Sequence, residues 1–396
     1  MILPRLLTGI LCMLLPASLA LAEDALKRVH VAPESPPAAT IVAGPLLWTS
    51  QILPHPDSGN ILASQLDSCL QQLQTVLSSH QSSSQHIVRL HLCCSSAEHL
   101  KTALKLLATA FPAEQAPCVS AVVTALPRGA LVALDATALH TAADPGQVQV
   151  HNGIALLPQG TRIFIAGQAE PSADLAEATL KTLQSLQRTL HFLGRSDADI
   201  VQLKAFVQPV SAAELVQQQV TRFYSGRTAP PLVLVEWQSS STVPIEIELV
   251  AWGGPAAANA PPIEYLTPPW MTTSPVYSRI ARTTHPSLIF TGGLQQIVPI
   301  AAPAETPEQA AATEVTQIFS QVTTLLQATD SSLEHLAKAT YYVSGEPASL
   351  SLNRLRPLYY NPARPPAASK AMVQGVGPAP QTLSMDMIAV PRLKQP

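Results

Sequence analysis

Charge is scarce in this sequence. Of 396 residues, 12% are Asp, Glu, Lys or Arg, about half the ~25% of an ordinary soluble chain. Acids and bases nearly cancel, 26 against 23, for a net charge of −3. A protein that displaces counterions from a phosphate backbone needs a concentrated basic surface. None is present, so nucleic acid is not an expected partner. Metal and cofactor signatures are missing too. The chain has eleven His and five Cys, with no H-E-x-x-H pattern and no C-x-x-C pair. There is no G-x-S-x-G elbow, and Gly375-Val376-Gly377-Pro378 does not complete a dinucleotide fingerprint. No metal and no cofactor are expected. Beyond the N-terminus no apolar run approaches the ~20 residues of a membrane span.

The N-terminus itself reads as a signal peptide over residues 1–22. Arg5 supplies the positive start, Leu6 to Leu15 the apolar stretch, and Ala20-Leu21-Ala22 the small-residue cleavage site. Export is the expectation, to the periplasm in a Gram-negative source. Cys12 lies inside the apolar stretch without small residues before it, so no lipid anchor is assigned. Cys69, Cys93, Cys94 and Cys118 would remain. Four cysteines allow three pairings, and buried free thiols are the simpler reading. Adjacent Cys93 and Cys94 on a strand point to opposite faces.

What the sequence does have is repetition. Hydrophobic residues make up 47%, enough for a large core, and 37 prolines punctuate the chain. Three β-rich runs begin at His86, Asp199 and His335, and three later ones contain Asp135, Glu248 and Asp386. His86 and Asp199 are 113 residues apart, as are Asp135 and Glu248. Two independent landmarks with one spacing indicate copies of one domain. Helical spacing recurs before each first run: Leu62, Leu66, Cys69, Leu73 and Val76, then Leu183, Leu186, Leu190 and Leu193, then Val315, Ile318, Val322 and Leu325. A second helix in each copy ends near an aromatic, Phe111, Tyr224 or Tyr360. The order per copy reads strand, strand, helix, strand, helix, strand, strand, an α+β layer arrangement. Boundaries follow at 28–140, 147–252 and 263–391, with an Ala/Pro-rich linker at 253–262.

Each copy resembles a RidA (YjgF) domain. Trp48-Thr49-Ser50-Gln51, Ile165-Ala166-Gly167-Gln168 and Thr291-Gly292-Gly293 match the family's Ser-Gly-Gln turn, Tyr277-Ser278 its Gly-Pro-Tyr-Ser element, and Asn353 an Asn of its second helix. The resemblance implies a chorismate-mutase-like α+β fold with sheets inside and helices outside. It also implies a monomer that builds the family trimer within one chain, with ligand clefts between neighbouring copies. The family activity is hydrolysis of enamines and imines derived from amino acids. There an Arg on the penultimate strand holds the substrate carboxylate, best done in bidentate fashion. Aligned positions are Cys118, Leu232 and Ser369, so that Arg is absent, and Lys370 and Arg364 are the cations nearest to it. The family's acid on the last strand falls at Asp135, Glu248 and Asp386. The third copy is the least altered. Asp386 and Lys370 are therefore the candidate catalytic residues. Tyr277, Gly292, Gly293, Asn353, Arg364 and Ser369, with Glu248, are the candidate binding residues. Three readings stay open: a binding protein for a small imino or amino acid derivative, an active imine or enamine hydrolase, and a structural pseudo-trimer that binds a partner.

Overall fold

The computed structural model describes residues 25–32, 35–294, 306–377 and 380–393. The segment read as a signal peptide lies outside them. The described residues form six strands and two α-helices in each third. The first unit holds β1 (Leu26–His30), β2 (Pro37–Ala43), β3 (Leu46–Thr49), α1 (Leu62–Ser79), β4 (Ile87–Cys94), α2 (Ala97–Ala110), β5 (Cys118–Val123) and β6 (Val132–Leu139). The second holds β7 (Gln149–His151), β8 (Ile154–Leu157), β9 (Arg162–Gln168), α3 (Leu175–Phe192), β10 (Ile200–Val207), α4 (Ala213–Phe223), β11 (Leu232–Glu236) and β12 (Ile245–Trp252). The third holds β13 (Ile263–Leu266), β14 (Ile280–Thr283), β15 (Ser287–Thr291), α5 (Pro307–Ala328), β16 (Leu336–Val343), α6 (Glu346–Leu355), β17 (Ala367–Met372) and β18 (Leu383–Ala389). Three strands thus precede the first helix of each unit, one more than the sequence pattern indicates. The missed strands, β1, β7 and β13, have five, three and four residues, and alternation over so few gives a weak signal. Tyr360 is also not a helix end. Pro357 cannot continue the helix, and α6 stops at Leu355 before a 3-10 turn over Arg356–Leu358.

The fold is α+β, with three six-stranded sheets of one topology. In each, a parallel pair (β4 with β5, β10 with β11, β16 with β17) is joined to antiparallel neighbours. Each sheet takes four strands from one unit and a hairpin from another. β8 pairs with β3, β14 with β9, and β2 with β15. The units are therefore clasped in a ring, the first hairpin closing on the third sheet. The chain turns from β2 to β3 at Gly44, whose φ of 128° suits glycine. A Cβ there would crowd the Leu139 side chain at 2.9 Å.

One apolar core lies between the helices and the sheet in each unit. Leu66, Leu73, Leu90 and Leu134 belong to the first, Leu183, Leu190, Leu203 and Leu249 to the second, Val315, Ile318, Tyr341 and Met387 to the third. The opposite sheet faces meet one another at the centre. There Val88, Val201 and Ala337 join one shared cluster, and Cys93, Phe206 and Tyr342 join another. Between them the inner faces of β4, β10 and β16 turn polar, at Arg89 and His91, Gln202 and Lys204, Lys338 and Thr340. The four described cysteines are free and buried, Cys93 and Cys94 in different clusters. Burial pushes the Cys69, Cys94 and Cys118 thiols up to about 12, which leaves them unreactive. Among the described residues no helix is long and apolar enough to cross a membrane, and no group of His, Cys, Asp and Glu could hold a metal ion.

Candidate functional site

The strand β12 begins Ile245-Glu246-Ile247-Glu248. With a period of two, both acids project from the face that looks away from the helices. Strand register makes Glu248 equivalent to Asp135 and Asp386, which lie opposite Lys204, His91 and Thr340. Glu246 is equivalent to Ala133 and Ser384, opposite Phe206, Cys93 and Tyr342. The same register puts Ser369 level with Ser120 and Val233. Cys118, Leu232 and Ser369 are therefore not equivalent positions, and the alignment that joins them is corrected.

Asp386 and Glu248 sit at the buried centre. Arg89 of the first unit donates to both oxygens of Asp386, at 2.8 and 2.7 Å. Lys338 of the third lies 2.7 Å from Glu248 of the second. The third member of this cycle is Gln202, which donates to the Thr49 carbonyl at 2.8 Å. Asp135 pairs within its own unit with His91, at 2.8 Å. Burial alone would raise Asp386 and Glu248, but the adjoining cations outweigh it and hold both below the usual carboxylate range. Both acids bridge units at the buried centre, and neither lines the cleft where the sequence reading put the site acid.

The cleft lies between the second and third units and measures about 630 Å³, a size typical of small-molecule sites. Of the residues singled out in the sequence, Tyr277, Asn353, Ser369 and Lys370 line it. Lys370 donates to Ser349 Oγ at 2.9 Å and Asn353 Oδ1 at 3.1 Å. Burial and then the nearby Arg356 charge pull its ammonium below the usual lysine value. Besides Glu170, the cleft is lined by Glu246. Burial and the neighbouring Glu248 push its carboxyl up to about 7, while Ser369, Arg279 and Lys338 act in the other direction. Gly167 makes room for it, because a Cβ there would overlap the carboxyl. The Gly167 N–H donates to Ser369 Oγ at 3.0 Å. Arg279 faces the cleft too. Its guanidinium lies 5.0 Å from the Tyr277 ring centroid and donates to the Thr272 carbonyl and hydroxyl at 3.2 and 2.9 Å.

The remaining sequence candidates lie elsewhere. Gly292 and Gly293 are at the junction of the third and first units, where Gly293 N–H donates to the Val119 carbonyl at 2.9 Å. A Cβ on Gly292 would meet that carbonyl at 3.0 Å, so close backbone packing explains the pair. Arg364 stacks over Tyr265 at 5.4 Å and donates to the Glu334 carbonyl at 3.1 Å. The first and second units are bridged in the same way as the third and first, by Gln51 N–H on the Leu232 carbonyl at 3.0 Å.

Solved structures of RidA/YjgF-family proteins resemble about a third of the chain. A YjgF-family protein of Neisseria meningitidis covers 33% of this chain and 97% of its own, at 21% identity and a TM-score of 0.24. A Rid-family protein of unknown function from Yersinia pestis covers 24% of this chain and 83% of its own, at 26% identity and a TM-score of 0.22. A YjgF/YER057c/UK114-family protein of Mycobacterium tuberculosis covers 29% and 98%, at 18% identity and a TM-score of 0.21. No protein-family model and no curated protein matches the sequence.

Glu246, Arg279 and Trp270 were missed by sequence reasoning. Glu246 and Glu248 share one alternation, so periodicity cannot choose between them. Arg279 directly follows the Tyr277-Ser278 element, and that adjacency was the available signal.

Proposed function

We propose that the cleft between the second and third units binds a small carboxylic acid related to amino or imino acids. The observation that carries this reading is the convergence of Arg279 and Lys370 beside a carboxyl, Glu246, in a cleft of ligand size. Arg279 replaces the absent strand cation from the opposite wall. Its fork suits a carboxylate, and Lys370 adds a second charge. Ligand binding to the folded state raises the melting temperature by mass action. A thermal-shift and calorimetric titration with short carboxylic acids is expected to show saturable binding. Arg279→Met is expected to weaken it at least about tenfold, or 1.4 kcal/mol. Unchanged affinity in that variant would remove the assignment.

A second reading, hydrolysis of an imine or enamine, is favoured by the Glu246 carboxyl near 7. A group with that value exchanges protons readily at neutral pH. As carboxylate it takes a proton from water as the oxygen adds to the C=N carbon. Returning that proton to nitrogen gives the carbinolamine, and the same carboxylate then carries the hydroxyl proton to nitrogen as the C–N bond breaks, which releases ammonia and leaves the carbonyl. Imines generated by an amino-acid oxidase test this directly, and a rate that survives Glu246→Gln would exclude the role. We further propose that residues 1–22 direct export and that one chain acts as a monomer. N-terminal sequencing of the exported protein and its mass in solution test these two points.

A further inference from the structure

The hairpin that brings Arg279 to the cleft differs from its two counterparts. β7 and β8 are joined by Asn152 and Gly153 alone, and β1 and β2 by residues 31–36, whereas residues 267–279 join β13 to β14. This longest connection forms one wall of the cleft through Trp270, Met271 and Tyr277. Trp270 is held by the second unit's α3, which also lines the cleft through Ser185. The Arg188 guanidinium lies 4.1 Å from its ring centroid, and Phe192 meets it edge-on with centroids 5.5 Å apart. The indole remains 38% exposed. A fixed aromatic surface facing solvent in a cleft offers apolar contact that needs no further ordering of the side chain.

The wall and the charges divide the cleft. Arg279 and Lys370 offer an anion site beside Glu246, and Trp270 with Met271 offers a flat apolar face. A short aliphatic acid would use the first and leave the second against water. We infer that the cleft selects a carboxylate bearing a flat aromatic group, with Trp270 as the specificity-determining residue. This rests on the reading of the cleft as a carboxylate site.

The test is calorimetric titration of the full chain with phenylacetate and indole-3-acetate against acetate and propionate. The aromatic acids are expected to bind at least about tenfold more tightly. Trp270→Ala should reduce that preference to below about threefold while leaving propionate affinity in place, and Trp270→Phe should keep most of the preference. Equal affinity for all four acids in the parent protein would overturn the inference while leaving the carboxylate reading intact. So would a Trp270→Ala variant that weakens propionate as much as phenylacetate. Binding of none of the four would overturn the carboxylate reading and the inference together.

Discussion

Glu246 and Glu248 are two residues apart on one strand, and their surroundings send them in opposite directions. At the centre, Lys338 lies 2.7 Å from Glu248 and holds its charge in place. At the cleft, Glu246 has a hydroxyl and more distant cations, and burial prevails. Buried charge is tolerated when paired and costly when not. The centre therefore contributes fixed assembly of three units, and the cleft retains a group that can change protonation.

The largest test of this contrast is to break a central pair. Lys338→Ala leaves Glu248 buried without its partner, and about 3–5 kcal/mol of stability should be lost. Lys370→Ala in the cleft should cost under about 1 kcal/mol, because that ammonium is half-buried and keeps access to water. Denaturant titration compares the two. Equal losses would erase the distinction between centre and cleft.

A sharper test uses pH. Glu246 titrates at about 7 in the folded protein against an ordinary 4.5. Between these values the folded state binds more protons than the unfolded one, so stability falls as pH rises. Below 4.5 the carboxyl is neutral in both states and costs nothing, and above 7 the loss is complete. Glu246→Gln escapes that loss. Its stability relative to the parent should rise by about 3 kcal/mol from pH 4 to pH 8. Melting temperatures of both proteins across that range would show it, and a constant difference would place Glu246 in an ordinary solvated setting.

The features legible in the sequence were those that repeat locally. Leu62, Leu66, Cys69 and Leu73 mark α1 because a helix buries one stripe, and the 113-residue spacing follows from equivalent strands. Tyr277 and Asn353 were named because each matches a short element, whereas Ser369 and Lys370 were named through an alignment that the strand register corrects. Features fixed by packing between units were not legible. Gly44-Pro45 marks a turn but does not say that β2 joins the third sheet. The identity of the cleft acid depends on whether Lys338 or Ser369 from another unit meets it, which alternation along β12 cannot encode. Trp270 acquires its meaning only from Arg188 and Phe192, some eighty residues earlier in the chain.

The smallest expected effect concerns the junction of the first and second units. There Gln51 donates from its backbone to Leu232 O and from its side chain to Leu234 O at 2.9 Å, and Ser50 Oγ accepts from Leu232 N–H at 3.3 Å. The positions of Glu246 and Ser369 are Ala133 and Val233, and that of Arg279 is Gly153, whose carbonyl accepts from Ser50 N–H as that of Arg279 accepts from Ala166 N–H. Gln51→Ala removes one side-chain hydrogen bond, for a loss of about 1 kcal/mol in denaturant titration. The backbone bond stays, and no acid or cation is uncovered at those three positions. Calorimetry with phenylacetate should still count one site per chain. A second site in that variant would mean that the bridge alone had kept the two junctions different, whereas an unchanged count assigns the difference to Glu246 and Arg279.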